Sequence, residues 1–327
     1  MTIIHNLFLY TGITGSTTYP EFQLGINVLY TILSLCALII PFCFSNFYFT
    51  DNRYILCGYI SIVYSVYLSC VKYFKMKLDK FSFSTFEQEC TESQTRMLHI
   101  NVFLFLLSGV YCLLGIPISL YLTGVNTLQL CLSILIGCFW FCFYAVCCSF
   151  HTYLIMFCYG QTTVIKKWLK GLKRGTFPTE WDSILQMYSH YYKTSKLFQQ
   201  LWNNVLLITF CSLSFRIPFG FILIVYANVY WEIPLFLFYL YAILQLSVSV
   251  CTLNAQNEYF QTYFIKHPHI IQDKEKVEML LEYNKIRTLG IRVYGFQPLF
   301  KHLLGVGLLI VNVAIPIGLS FLISSLK

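Results

Sequence analysis

The side chains best suited to chemistry in this chain are few, and most lie in apolar surroundings. Asn312 and Pro316 stand four residues apart in HLLGVGLLIVNVAIPIGLSFLISSLK. A helical N–H pairs with the carbonyl four residues back, so Pro316 removes the bond that the Asn312 carbonyl would accept. The two interruptions form one coupled defect, suited to a hinge or to a static bend, and the Asn312 amide can bond between helices or face a wet pore. Arg216 is the one Lys or Arg deep inside an apolar segment. An ionisable group there costs about 2.5–3.5 kcal/mol on insertion scales and faces a cavity or a partner. Arg216 and the nearby Tyr226 are therefore candidate ligand-binding residues, with a structural arginine bonded to carbonyls as the alternative.

Other reactive types do not assemble. His267 and His269 flank Pro268 and make only a pair. All but one of the 14 cysteines fall in apolar segments, without CxxC or His-paired spacing, so neither a disulfide framework nor a zinc site is indicated. Cys70, Cys158 and Cys251 sit near basic span ends, where acylation would place a lipid chain. No nucleophile, metal or acid–base cluster points to an enzyme, and no cofactor is implied.

The elements that position these residues are membrane helices. Hydrophobic residues make up 57% of the 327-residue chain and charged residues only 11%, against about 25% charged in soluble domains. Runs long enough to cross about 30 Å of hydrocarbon fall at about 23–46, 54–74, 99–123, 127–158, 202–226, 233–254 and 301–325. The expected fold is all-α, a single seven-transmembrane domain over 1–327. The first apolar run exceeds the short core of a signal peptide and reads as a retained span.

Charge sets the orientation. Nineteen of the 22 basic residues lie in the loops after spans two, four and six, while Arg53 alone occupies those after one, three and five. The positive-inside rule places the N-terminus in the cytoplasm and the C-terminus outside. A G-protein-coupled receptor has the opposite pattern, and its DRY-like and NPxxY-like motifs are missing here. The net charge of +8 belongs to membrane-proximal loops whose nearest partner is anionic lipid, so nucleic-acid binding has no support.

Two loop segments carry helical patterns. PTEWDSILQMYSHYYKTSKLFQQLWNN opens with Pro178, then Thr179 and Asp182 in capping-box spacing, followed by Ile184, Tyr188, Tyr191 and Leu201 along one face. Asp273 can cap a second helix whose Val277, Leu280, Leu281 and Asn284 share a face. The fourth span, apolar for about 32 residues or roughly 48 Å, should project inward. A cytoplasmic helical layer over about 159–201 and 255–300 follows, packed within the chain, against other subunits, or on lipid.

The C-terminal stretch RVYGFQPLFKHLLGVGLLIVNVAIPIGLSF, with this topology, resembles the insect gustatory and odorant receptor superfamily. There a glycine and an aromatic residue precede an apolar helix carrying TYxxxxxQF. Here Tyr294, Gly295 and Phe296 look like the approach, and Leu299, Leu303 and Leu304 like the start of the helix. Val313 and Ala314 stand at the Thr-Tyr positions, Ser320 at the Gln position, and Phe321 is retained. The resemblance implies a gustatory-receptor-like chemosensory cation channel of the plasma membrane, gated by a small-molecule ligand and assembled as a homo- or heterotetramer. It implies a pore lined by the seventh helix, with Asn312, Val313, Pro316, Ile317, Ser320 and Phe321 at the pore or gate. A ligand pocket among spans two to six in the outer half of the membrane is implied too. The alternative is a non-conducting scaffold or auxiliary subunit of the same fold, and a transporter is the third reading.

Overall fold

A computed structural model describes residues 20–43, 89–122, 124, 127–200, 224, 232–267, 270–271, 273–286 and 289–292. Every regular element among them is helical. In chain order these are α1 (Pro20–Cys43), α2 (Glu92–Leu122), α3 (Thr127–Arg174), α4 (181–200), α5 (Glu232–Lys266) and α6 (Lys274–Ile286). Three stretches are long and apolar enough to cross a membrane, Glu92–Ile118, Thr127–Arg174 and Ile233–Lys266. Thr127–Arg174 and Ile233–Lys266 contain the fourth and sixth spans expected from sequence, Glu92–Ile118 covers most of the third, and α1 overlaps the first. The expected spans at 54–74 and 301–325, and that at 202–226 apart from residue 224, lie outside the described residues.

Helix boundaries follow local chemistry. Pro20 opens α1, and Pro234 stands in the first turn of α5, where a missing N–H costs no helical bond. α3 runs for 48 residues, about 72 Å at 1.5 Å per residue, well beyond a hydrocarbon core. It ends in a Schellman turn: Thr176 N donates to Gly171 O at 3.0 Å and Gly175 N to Leu172 O at 3.2 Å. Gly175 has φ 69°, a conformation that glycine adopts without steric penalty. The start of α4 differs from the expected box. Its first helical bond runs from Ile184 N to Glu180 O at 3.0 Å, so Glu180 rather than Thr179 is the cap. Asp273 caps α6 as expected, its Oδ1 accepting from Glu275 N at 3.0 Å.

The chain divides into two compact units, with α3 and α5 contributing to both. In the first, α2 and α3 meet at two glycines. A Cβ on Gly109 would lie 3.1 Å from the Phe141 ring, and one on Gly137 would lie 3.0 Å from the Leu113 carbonyl oxygen. Pro117 has no N–H to offer that carbonyl, so the bare backbone of Gly137 approaches an acceptor that its own helix leaves open. On the opposite side of α2, Phe103, Leu107, Val110, Leu114 and Ile118 are exposed at helical spacing, a stripe suited to lipid.

In the second unit the faces read from sequence are buried, except that Leu281 is only half-buried. Ile184, Tyr188 and Tyr191 of α4 and Val277, Leu280 and Asn284 of α6 lie inside, joined by Ser195 and Phe198; Leu201 lies outside the described residues. Trp168 of α3 stacks on Phe260 of α5 with centroids 5.7 Å apart and meets Tyr191 at 5.3 Å. The non-helical residues 289–292 lack helical partners for their peptide groups, so side chains supply them. Asn254 Nδ2 donates to Ile291 O at 3.1 Å and its Oδ1 accepts from Ile291 N at 2.7 Å. Asn257 Oδ1 accepts from Leu289 N, Ser195 Oγ donates to Leu289 O, and Gln199 Nε2 donates to Arg292 O. Cys158 and Cys251 are 1% and 2% exposed. Helix packing closes both thiols to acylation, which corrects the lipid-attachment reading for these two; Cys70 lies outside the described residues.

Candidate functional site

The described part of the first unit has an aromatic interior built by α2, α3 and α5. Phe105 of α2 meets Phe238 of α5 edge to face at 4.8 Å and lies 4.9 Å from the His151 ring of α3. Tyr144 of α3 packs against Phe238 at 5.9 Å, and its hydroxyl meets that of Tyr239 at 2.5 Å. Helical spacing explains the grouping. Phe105 follows Asn101 by one turn on the buried face of α2, while Phe238, Tyr239 and Ala242 share the buried face of α5.

Polar bonds tie the three helices. Tyr241 OH donates to Asn101 Oδ1 at 2.8 Å, and His151 Nε2 lies 2.8 Å from the carbonyl oxygen of Ala242. Nearby serines are already engaged. Ser108 and Ser149 donate to the carbonyls one turn back, Leu104 O and Ala145 O, as hydroxyls in helices do when no better partner exists. No Asp, Glu, Lys or Arg is buried among the described residues. Such an interior disfavours an unpaired ion, which would lose its hydration there.

The described residues include none of the site residues expected from sequence. Arg216, Tyr226, Asn312, Val313, Pro316, Ile317, Ser320 and Phe321 all lie outside the described residues, as do Tyr230, Trp231 and His269. Tyr239 and Tyr241 are described, and the hydroxyl of each meets a side chain of another helix. Sequence reasoning passed over Asn101, Phe105, Tyr144 and His151. The available signal was His151 itself, an ionisable residue inside a long apolar run, which marks a functional position by default.

No family model and no curated protein sequence matches the chain. Among solved structures, the insect olfactory receptor OR5 from Machilis hrabei, determined in complex with eugenol, matches with a TM-score of 0.60 and 12% sequence identity. The match covers 99% of this chain and 97% of that one. At this identity the likeness is one of fold, carried over essentially the full length of both chains. The matched protein is an insect olfactory receptor, of the superfamily that the C-terminal residues resemble.

Proposed function

From a fold shared with an insect olfactory receptor, we propose that this chain is a chemosensory, gustatory-receptor-like cation channel gated by a small-molecule ligand. The observation that carries the proposal is the full-length match in fold. The aromatic, uncharged interior described above agrees with it, and the eugenol held by the Machilis hrabei receptor is the kind of small neutral molecule such an interior admits. In this reading four subunits, identical or related, assemble in the plasma membrane around a pore lined by residues 301–325 of each. Asn312, Val313, Pro316, Ile317, Ser320 and Phe321 lie at the pore or gate, and Arg216 and Tyr226 belong to the ligand pocket.

Gating is then a population shift. A ligand opens the pore only to the extent that it binds the open arrangement more tightly than the closed one, with about 1.4 kcal/mol of difference for each tenfold change in the equilibrium. The Asn312–Pro316 defect supplies a place where the helix can bend. The test is current recorded from the chain expressed in a heterologous cell. Ile317→Glu should change conductance or cation selectivity, because a carboxylate at a constriction acts directly on the permeating ion. An unaltered current from the variant would count against the pore assignment. A second reading, a non-conducting auxiliary subunit, is favoured by Val313, Ala314 and Ser320 at signature positions. It predicts assembly without current, and a robust current from this chain alone removes it.

A further inference from the structure

The turn between α3 and α4 carries Lys173, Arg174, Gly175, Thr176 and Phe177 in succession. Every residue from 173 to 180 is exposed, the longest unbroken run of exposed residues among those described. α3 closes there in its Schellman turn, with Gly175 at φ 69°, and α4 begins at residue 181. The Gly171 carbonyl accepts from the Thr176 N–H at 3.0 Å and from the Thr176 hydroxyl at 3.2 Å. The main-chain bond already gives that carbonyl a partner, so closing the helix does not need the hydroxyl.

The charge leading into this turn is of one sign. Every exposed residue of α3 from position 160 to 174 is basic, namely Lys166, Lys167, Lys170, Lys173 and Arg174. Lys167 pairs with Glu89 at 2.7 Å. Cations four residues apart, as Lys166 and Lys170 or Lys170 and Arg174 are, weaken a helix. The helix dipole favours Lys173 and Arg174 in the last turn, but its influence has faded by Lys166 and Lys167. Among the described serines and threonines, Thr176 alone has a basic residue at both the second and the third position before it.

We propose that Thr176 is a phosphorylation site for a protein kinase that reads cations ahead of its acceptor. Such an enzyme meets the Lys173 and Arg174 charges with carboxylates, and Phe177, 37% exposed, offers an apolar contact directly after the acceptor. The turn must open to lie extended in a kinase cleft. It gives up the bonds to Gly171 and Leu172, and the Phe177 ring must lift from Gly171, against which it lies. All of these are at a helix end, where the last turn frays, and Gly175 adopts either sign of φ. In the transfer the Thr176 oxygen attacks the γ-phosphorus of ATP. The new O–P bond forms as the bond to the ADP oxygen breaks, and the hydroxyl proton passes to the carboxylate base of the kinase. The product carries about −1.5 to −2 of charge at neutral pH. Set at the end of the basic face, that charge reduces the attraction of the face for anions.

The site rests on the cytoplasmic placement of this turn by the charge pattern, and it does not require the channel reading. The purified full-length protein in lipid nanodiscs is incubated with ATP, Mg²⁺ and the catalytic subunit of the cyclic-AMP-dependent protein kinase, and the phosphate is located by mass spectrometry. Thr176 should be the principal residue modified. Thr176→Ala should remove that signal, and Arg174→Gln should lower kcat/KM for it by about tenfold or more, the loss of a charge-assisted contact. Both substitutions are at exposed positions, where the fold tolerates change. No phosphate on Thr176, or equal rates for wild type and Arg174→Gln, would overturn the site. The same phosphopeptide should appear in protein isolated from intact heterologous cells in which that kinase is stimulated. Its absence there, when the purified protein is modified, would place the turn on the wrong side of the membrane and overturn the site as well. A phosphorylated protein that passes no current defeats the channel and leaves the site; a ligand-gated current from a chain that never takes phosphate on Thr176 does the reverse.

Discussion

The Tyr188 hydroxyl donates to Asn284 Oδ1 at 2.6 Å, and both side chains are fully buried in the second unit. Tyr188→Phe keeps the ring, with its contacts to Phe260 and Tyr283, and removes only the donor. The Asn284 oxygen is then stranded in an apolar layer, which costs about 1–3 kcal/mol. A lowered melting midpoint of the purified protein measures this. Replacing Asn284 by Leu in the same chain should recover part of the loss, since two apolar partners leave nothing unpaired; strictly additive losses would show that the bond contributes nothing. Asn284 was visible in the sequence because it occupies the fourth position of an apolar stripe beginning at Val277. His151 was marked only by being ionisable in an apolar run, and Asn101 by nothing, because a lone polar residue there has no period to announce it. Its role depends on what another helix brings opposite, here Tyr241 and Ala242.

The helices themselves were far easier to read. Apolar runs put α1 within three residues at both ends and fix one end each of α2, α3 and α5, because burial in lipid demands a continuous stretch of one character. The other ends of α2, α3 and α5 were read short. α3 continues to Arg174 and α5 to Lys266, where charges appear on one face while Trp168, Leu169, Leu172, Phe260 and Phe264 stay buried on the other. The apolar runs stop where polar residues gather, at Gln161, Thr162 and Thr163 in α3 and at Asn254, Gln256 and Asn257 in α5, although the helices do not. The contact between α2 and α3 was equally hidden, since it rests on Gly137 facing the backbone of Leu113. Gly137→Ala would place a methyl 3.0 Å from Leu113 O and 3.1 Å from Leu113 Cα, atoms that cannot rotate aside. The helices must separate, at about 1–3 kcal/mol for overpacking of this kind. The variant should melt earlier than wild type in detergent, and its helical content should be unchanged; an unchanged melt would mean that the two helices yield without cost.

For the assembled protein the decisive fact is what a fold match at 12% identity carries. It fixes how helices are arranged along the chain, and it leaves open which side chains conduct or recognise. The second unit has buried its own amphipathic faces: Tyr188 meets Asn284, and Trp168 meets Phe260 and Tyr191. The sequence alone left those faces free for another subunit, and the part now described is spent on intramolecular packing. Subunit contacts in the proposed channel must therefore come from other surfaces of this unit and from the segment leading to residues 301–325. That segment begins from a fixed point. The backbone of 289–292 is held by Asn254, Asn257, Ser195 and Gln199, so in the proposed channel the expected seventh span would depart from a braced backbone. A braced approach suits a helix shared around a symmetry axis, where a small angular error in each subunit would open the ring. Particle images of the purified full-length protein should accordingly show fourfold symmetry, with residues 301–325 nearest the axis. A monomer at every concentration tried, or a symmetric assembly with those residues on its lipid-facing rim, would overturn the proposed pore.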